Sequence, residues 1–346
     1  MENEIPASWD SLEGVLQPFE SPDVLGHEGV CHTLARAHAT GRLHHAWLLS
    51  GPRGIGKATL AYQFAGHLQR YPEAANAPQG LAPADDTAAG MIRRGAHPNL
   101  LTASRPWNAK DKKFMTRLTV DEVRHINAFL RSTTAMGGWR TVIVDSADDM
   151  NTSAANALLK ILEEPPSQTV FFILAHSPRG LLPTLRSRCQ TMSLKPLADD
   201  VLRRVISRQP VMEGVEDTAM DKWIALCGGS ARRALELAQG EVAAMVGEFF
   251  DLVEEKQADW QKIHHLGAAL APAAKAQDYQ LFIDLVFDRL AAVTRSQALN
   301  DQVPMARLAS YCDVWDKVRA DHEKAVYWNL DRKQVILGLY SDLRRV

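Results

Sequence analysis

Three observations predict a mixed α/β fold with a parallel sheet, followed by an all-helical C-terminal part. Two apolar runs, residues 141–144 and 170–174, are continuous rather than alternating, as strands covered by helices on both faces require. A glycine-rich loop, Gly51-Pro-Arg-Gly-Ile-Gly-Lys57, joins a third apolar run, residues 47–49, to a helix predicted over 58–69. From Gly240 to Val346 the apolar spacing is helical throughout.

Composition sets the class. The 346 residues are enough for two or three domains, and 46% of them are apolar. Lys plus Arg number 39 and Asp plus Glu 41, which argues against a protein that coats nucleic acid by bulk charge and leaves only local patches. The four cysteines, Cys31, Cys189, Cys227 and Cys312, have no metal-site spacing and suit a reducing compartment. The acidic start Met-Glu-Asn-Glu does not read as a signal peptide, and no apolar run has the length of a membrane helix. The expectation is a cytoplasmic protein with no membrane partner.

Residues 1–20 show no period and read as a loose arm. A helix carrying Val30, Leu34 and Ala37 follows, then the strand at Trp47. Between that strand and the next helix, Gly51, Gly54 and Gly56 free backbone N–H groups to close around phosphate oxygens. The helix N-terminus adds positive potential, and Lys57 reaches terminal phosphates. The next residue should be Ser or Thr to hold Mg²⁺, but it is Ala58. Thr59 comes one place late, about 100° round the helix. The loop keeps the means to hold a nucleotide or phosphate, while its metal coordination is damaged.

Residues 71–95, rich in Ala and Pro, read as a long mobile loop. A second strand is predicted over 97–102. Lys110, Lys112, Lys113 and Arg117 cluster in the loop after it, where they are either solvated or face DNA phosphates. Thr119-Val-Asp-Glu122 has the pattern of a capping box opening a helix over 120–131, with Val123, Ile126, Phe129 and Leu130 on its buried face. Between the two long apolar runs, Ala155, Leu158, Leu159 and Leu162 share one helical face. Asn151 to Ser153 offer N-caps, and Pro165-Pro166 end the helix. Leu181, Leu182 and Leu185 mark a short helix with Arg186 and Arg188 at its exposed end, a place the helix dipole favours for arginine. Cys189 reads as a small buried packing residue.

The run Ala-Asn-Ala-Leu-Leu-Lys160-Ile-Leu-Glu-Glu-Pro-Pro166, followed by Ser187-Arg188-Cys189, resembles the clamp-loader branch of the bacterial AAA+ proteins, and within it the delta-prime family of DNA polymerase III subunits. The match is dense from about His44 to Leu235. It implies an AAA+ core of the P-loop NTPase fold over residues 1–195, a helical lid over 196–240 and a helical collar for subunit association over 241–346, with Trp260, Trp315 and Trp328 as aromatic anchors. In that family the arginine of Ser-Arg-Cys enters the ATP site of a neighbouring subunit, so Arg188 is expected to be a trans arginine finger.

The resemblance assigns further roles. Gly51, Gly54, Gly56, Lys57, Thr59 and Asp145 would face a nucleotide, with ATP the cofactor if one is bound. Val24 and Leu25 would lie near its adenine. His176 and Ser177 occupy the first sensor position, and could equally be a polar strand end. Arg232, in Gly-Gly-Ser-Ala-Arg, would be the second sensor, or a solvated helix start. Active relatives end the strand before Asp145 in Asp-Glu; here it is Asp145-Ser146, and serine is no base near neutral pH without another base beside it. The family often carries a four-cysteine zinc module near residues 71–95, and this chain has no cysteine there, so no zinc and no other metal is expected. The implied function is a subunit that supports ATP-dependent loading of the sliding clamp on primed DNA without hydrolysing ATP itself. Its implied partners are the gamma/tau and delta subunits. The alternatives are a gamma-type ATPase motor and a pure scaffold.

Overall fold

A computed structural model describes residues 8–81, 86–132, 137–298, 305–328 and 330–345. The chain divides into two compact units, Met1–Gly214 with Gly229–Arg232, and Val215–Gly228 with Arg233–Val346.

In the first unit, five parallel strands form one sheet: β1 (Ala46–Ser50), β2 (Leu100–Ala103), β5 (Arg140–Val144), β6 (Thr169–Ala175) and β7 (Gln190–Ser193), in the order β2-β5-β6-β1-β7. Two short strands, β3 (Trp107–Asn108) and β4 (Lys113–Phe114), pair antiparallel in a separate hairpin. The continuous apolar runs are explained by what lies on each face. Leu48, Val142, Val144, Phe171 and Ile173 pack with α4 (Val120–Arg131) and α5 (Thr152–Glu163). Trp47, Leu49, Ile143, Phe172 and Leu174 pack with α1 (Glu28–Ala39) and α2 (Lys57–Arg70). Alternate residues of the central strands β1, β5 and β6 thus serve different helical layers and both faces are covered, whereas the edge strand β7 is largely exposed.

Local signals explain the element ends. Asn151 caps α5, its Oδ1 accepting the Ala154 N–H at 2.8 Å. The box predicted at Thr119 does not form: Thr119 precedes α4 with no side-chain cap, and Glu122 instead faces His125 at 3.7 Å. The second strand starts at Leu100 rather than His97, because Asn99 is buried with its Nδ2 donating to the Gly137 carbonyl at 2.7 Å.

Two expectations of looseness are corrected. Within 71–95, Thr87–Arg93 forms α3, capped by Asp86 with Ile92 buried, while 82–85 lie outside the described residues. The arm is tied down where it is described, with the Val211 N–H donating to the Gly14 carbonyl at 3.0 Å and the Leu16 N–H to Gln209 Oε1 at 2.9 Å. The hairpin is ordered by an edge-to-face pair of Trp107 and Phe114, 5.0 Å apart. At its tip, Asn108 Oδ1 accepts the N–H groups of Lys110 and Asp111 at 3.0 and 3.3 Å. Lys110, Lys112, Lys113 and Arg117 are exposed on and beside it.

The short helices α6 (Pro183–Arg186) and α7 (Asp199–Ile206) complete this unit. The second unit contains α8 (Asp217–Leu226), most of α9 (Ala231–Gln239), α10 (Val242–Glu254), α11 (Trp260–Leu270), α12 (Ala276–Ala298), α13 (Met305–Trp328) and α14 (Arg332–Leu343). Its core centres on Phe249, whose ring lies 5.4 Å from Phe282 and 6.4 Å from Tyr340. Trp260, Trp328 and Leu330 remain exposed, whereas Trp315 is partly covered beside Phe287.

Candidate functional site

The candidate residues gather at the carboxyl ends of the parallel strands, where ligands bind in open α/β sheets. Ser50 runs directly into Gly51, Asp145 follows β5 and His176 follows β6. The strand order reverses around β1, which lies between β6 and β7.

The loop after β1 has the conformation its glycines predict. Gly54 (φ +76°) packs so closely on the segment 230–232 that a Cβ there would lie 2.5 Å from Ser230 Oγ. Gly56 (φ +97°) is the left-handed N-cap of α2. Lys57, however, is turned back onto its own loop: Nζ donates to the carbonyls of Gly51 and Pro52 at 2.8 and 2.6 Å. Burial depresses its ammonium to about 8, although Asp145 and Asp148 favour the charge. The loop is braced from outside by His27, buried with Nε2 at 2.6 Å from the Ile55 carbonyl, and by Ser230 Oγ donating to the Arg53 carbonyl at 2.8 Å. Val24 packs against the core cluster beside α1 and α2.

Asp145 is half-buried. Desolvation first, and the nearby Asp10 charge second, push its carboxyl upward. Ser146 has φ +46°, and its Oγ is buried without a hydrogen-bond partner. Asp148 is committed elsewhere: its carboxylate accepts the N–H groups of His176 at 2.5 Å and Ser177 at 3.4 Å. His176 Nδ1 stands 3.4 Å from it without the alignment of a hydrogen bond. Burial raises the Asp148 carboxyl, but the contacts from His176 and Ser177 prevail and hold it low. His176 and Ser177 therefore spend their backbone donors on Asp148.

Arg232 lies within the first unit, its N–H 3.4 Å from the Gly54 carbonyl. Its guanidinium contacts the carbonyl of Asp10 and lies 3.4 Å from the Asp10 carboxylate. Arg53 Nη2 is 3.7 Å from the same carboxylate. The Arg53 and Arg105 guanidiniums lie 4.7 and 3.9 Å from the centre of the Trp9 ring, and Asp149 holds Arg105 by two contacts of 2.7 Å. Trp9 and Asp10 escaped the sequence reading, because two residues ahead of any periodic element give no signal.

Arg188 stands apart from this group. It follows α6, with Nη1 donating to the Thr184 carbonyl at 3.0 Å and Nη2 to Glu163 Oε1 at 2.6 Å. About a third of its side chain and half of that of Glu163 are exposed. Cys189 packs at the edge of the core, and burial pushes its thiol up to about 11.

As placed, these side chains do not suit a magnesium triphosphate. Ala58 offers no hydroxyl, Lys57 is engaged by carbonyls, and Asp10 adds a carboxylate beside Asp145.

A family model described as "DNA polymerase III, delta subunit" matches residues 26–198, half of the chain. The DNA polymerase III subunit delta' of Pseudomonas aeruginosa is 36% identical over 197 residues, 56% of this chain and 55% of that protein. The chain thus spans about half the length of that relative. The subunit delta' of Escherichia coli strain K12 is 29% identical over 311 residues, 90% of this chain and 79% of that protein. A solved gamma subunit-related protein of DNA polymerase III from Thermotoga maritima aligns at a TM-score of 0.43 with 17% identity, over 91% of this chain and 98% of its own, and adds nothing to the assignment. The chain belongs to the DNA polymerase III, delta subunit family, as a member of the delta-prime branch of the AAA+ clamp-loader subunits.

Proposed function

We propose that this clamp-loader subunit hydrolyses no ATP itself and completes the ATP site of a neighbouring gamma/tau subunit with Arg188. The observation that carries the reading is the setting of Arg188. It stands at the outer end of a short helix on the well-packed core, held by Thr184 and the exposed Glu163 among the described residues. An exposed ion pair contributes about 0–1 kcal/mol, so the guanidinium can leave Glu163 for a γ-phosphate at little cost. A trans arginine is worth roughly 10³–10⁵ in turnover where it is fully catalytic.

The loss of hydrolysis rests on Ala58 and Ser146, and on the engagement of Asp148 by His176 and Ser177. The remaining proposed partners are the delta subunit, the sliding clamp and primed DNA. The exposed Lys110, Lys112, Lys113 and Arg117 on and beside the ordered hairpin are the proposed contacts to DNA phosphates. The exposed Trp260 and Trp328 suit subunit association through the helical C-terminal region, residues 241–346.

The test is DNA-stimulated ATP hydrolysis by the assembled complex, comparing wild type with Arg188→Ala at equal assembly. A loss of several hundredfold or more supports the reading. Unchanged turnover would reduce the chain to a scaffold, which the Arg188–Glu163 pair favours as a second reading.

A further inference from the structure

We propose that the phosphate loop holds a ligand from its own chain: Trp9–Asp10 lies where a nucleotide would bind, and segment and nucleotide exclude each other. The inference rests on reading residues 51–57 as a phosphate-binding loop, and is independent of any role for Arg188.

The carboxylate of Asp10 sits as an anion in an anion site. Its Oδ2 faces Arg232 at 3.4 Å and Arg53 at 3.7 Å, one arginine from the loop and one from the segment packed against Gly54. Ser8 Oγ donates to its Oδ1 at 3.0 Å and fixes its orientation. Trp9 lies beneath the guanidiniums of Arg53 and Arg105, which hold it by cation–π contact. The charge of Asp10 also reaches Asp145, so a polyphosphate brought to this loop would meet two carboxylates. The lysine that would greet it donates to its own loop carbonyls instead.

The segment is also delivered to this place by the fold. Gly14 and Leu16, a few residues downstream, are hydrogen-bonded to Val211 and Gln209. A tethered ligand of this kind acts at an effective concentration in the millimolar range. A nucleotide must displace it, and its apparent affinity falls by the fraction of molecules in which the segment is away.

The experiment titrates the full chain with fluorescent mant-ADP and mant-ATP, in four forms: wild type, Asp10→Asn, Trp9→Ala/Asp10→Ala, and the last combined with Lys57→Ala. Circular dichroism and thermal unfolding establish that each is folded. The double variant is expected to bind roughly tenfold or more tighter than wild type, and Lys57→Ala to abolish the gain. Wild-type binding as tight as that of the double variant overturns the proposal, as does a folded double variant with no gain. A gain that survives Lys57→Ala places the nucleotide elsewhere and overturns it too. If the double variant fails to fold, Asp10→Asn decides: a several-fold gain supports the proposal and none refutes it. ATP turnover by the assembled complex, which tests Arg188, does not enter this readout.

Discussion

Arg188 donates to Glu163 Oε1 at 2.6 Å across 25 residues of sequence, joining the last residue of α5 to the turn after α6. Both belong to the segments that first suggested the family, Glu-Glu-Pro-Pro and Ser-Arg-Cys. The carboxylate holds the guanidinium in one orientation while the chain has no neighbour.

Removing that carboxylate separates parking from catalysis. Glu163→Ala is expected to lower stability by less than about 1 kcal/mol, since the pair is exposed, and to leave ATP turnover of the assembled complex within a few-fold of wild type. Urea unfolding and steady-state hydrolysis check the two halves. A loss as deep as that of Arg188→Ala would make Glu163 part of the catalytic arrangement rather than a resting partner.

Acid should weaken the first unit through a histidine pair. His67 is buried against Phe64 and His38, with ring centres 5.3 Å apart in both contacts. Burial first, then the His38 charge, depresses His67 to about 4, and burial lowers His38 as well. Both are neutral when folded, and the unfolded chain binds the protons near pH 6.5. The stability they contribute is therefore complete above about pH 6.5 and is lost as pH falls from there toward 4. Urea midpoints measured between pH 7.5 and 4.5 should fall with acid, and His67→Gln should flatten the slope. An unchanged slope in that variant would assign the acid sensitivity to other groups.

Phosphate contacts by the hairpin have a salt signature. If Lys110, Lys112 and Lys113 each neutralise one phosphate, replacing all three by Ala lowers the slope of log K against log salt by about 2–3. The measurement is primed-DNA binding by the assembled complex at several salt concentrations, with Arg188 intact. An unaltered slope would return the cluster to the solvent.

Restoring the two missing groups should not restore an ATPase. Ala58→Thr with Ser146→Glu is expected to give no magnesium-dependent turnover in the isolated chain, because Asp10 and the turned-back Lys57 remain. Turnover in that double variant would show that Asp10 and Lys57 as placed do not prevent hydrolysis.

The central strands were legible because they are buried on both faces, while the exposed edge strand β7 left no apolar run to read. Phe171 and Phe172 point to opposite helical layers, and a continuous apolar run is the mark of that burial. The phosphate loop was legible from its glycines, and Asn151 from its place before an apolar helix. The capping box at Thr119 failed although its spacing was right, because a four-residue pattern does not fix where Glu122 turns. What the sequence concealed are contacts between distant residues: Asp10 with Arg232, Asp148 with the N–H groups after β6, and Arg188 with Glu163. Each is polar, uses one or two atoms, and leaves no periodic trace.

The left-handed backbone at Ser146 weighs against a glutamate at that position. A glutamate there would carry the same strained φ and set a third carboxylate in a buried place that Asp145 already shares with the charge of Asp10. As long as Trp9 and Asp10 lie against the loop, each substitution that would lead back toward hydrolysis is penalised by the others. A glutamate at 146 would compete with Asp10 and Asp145 for the same small store of positive charge.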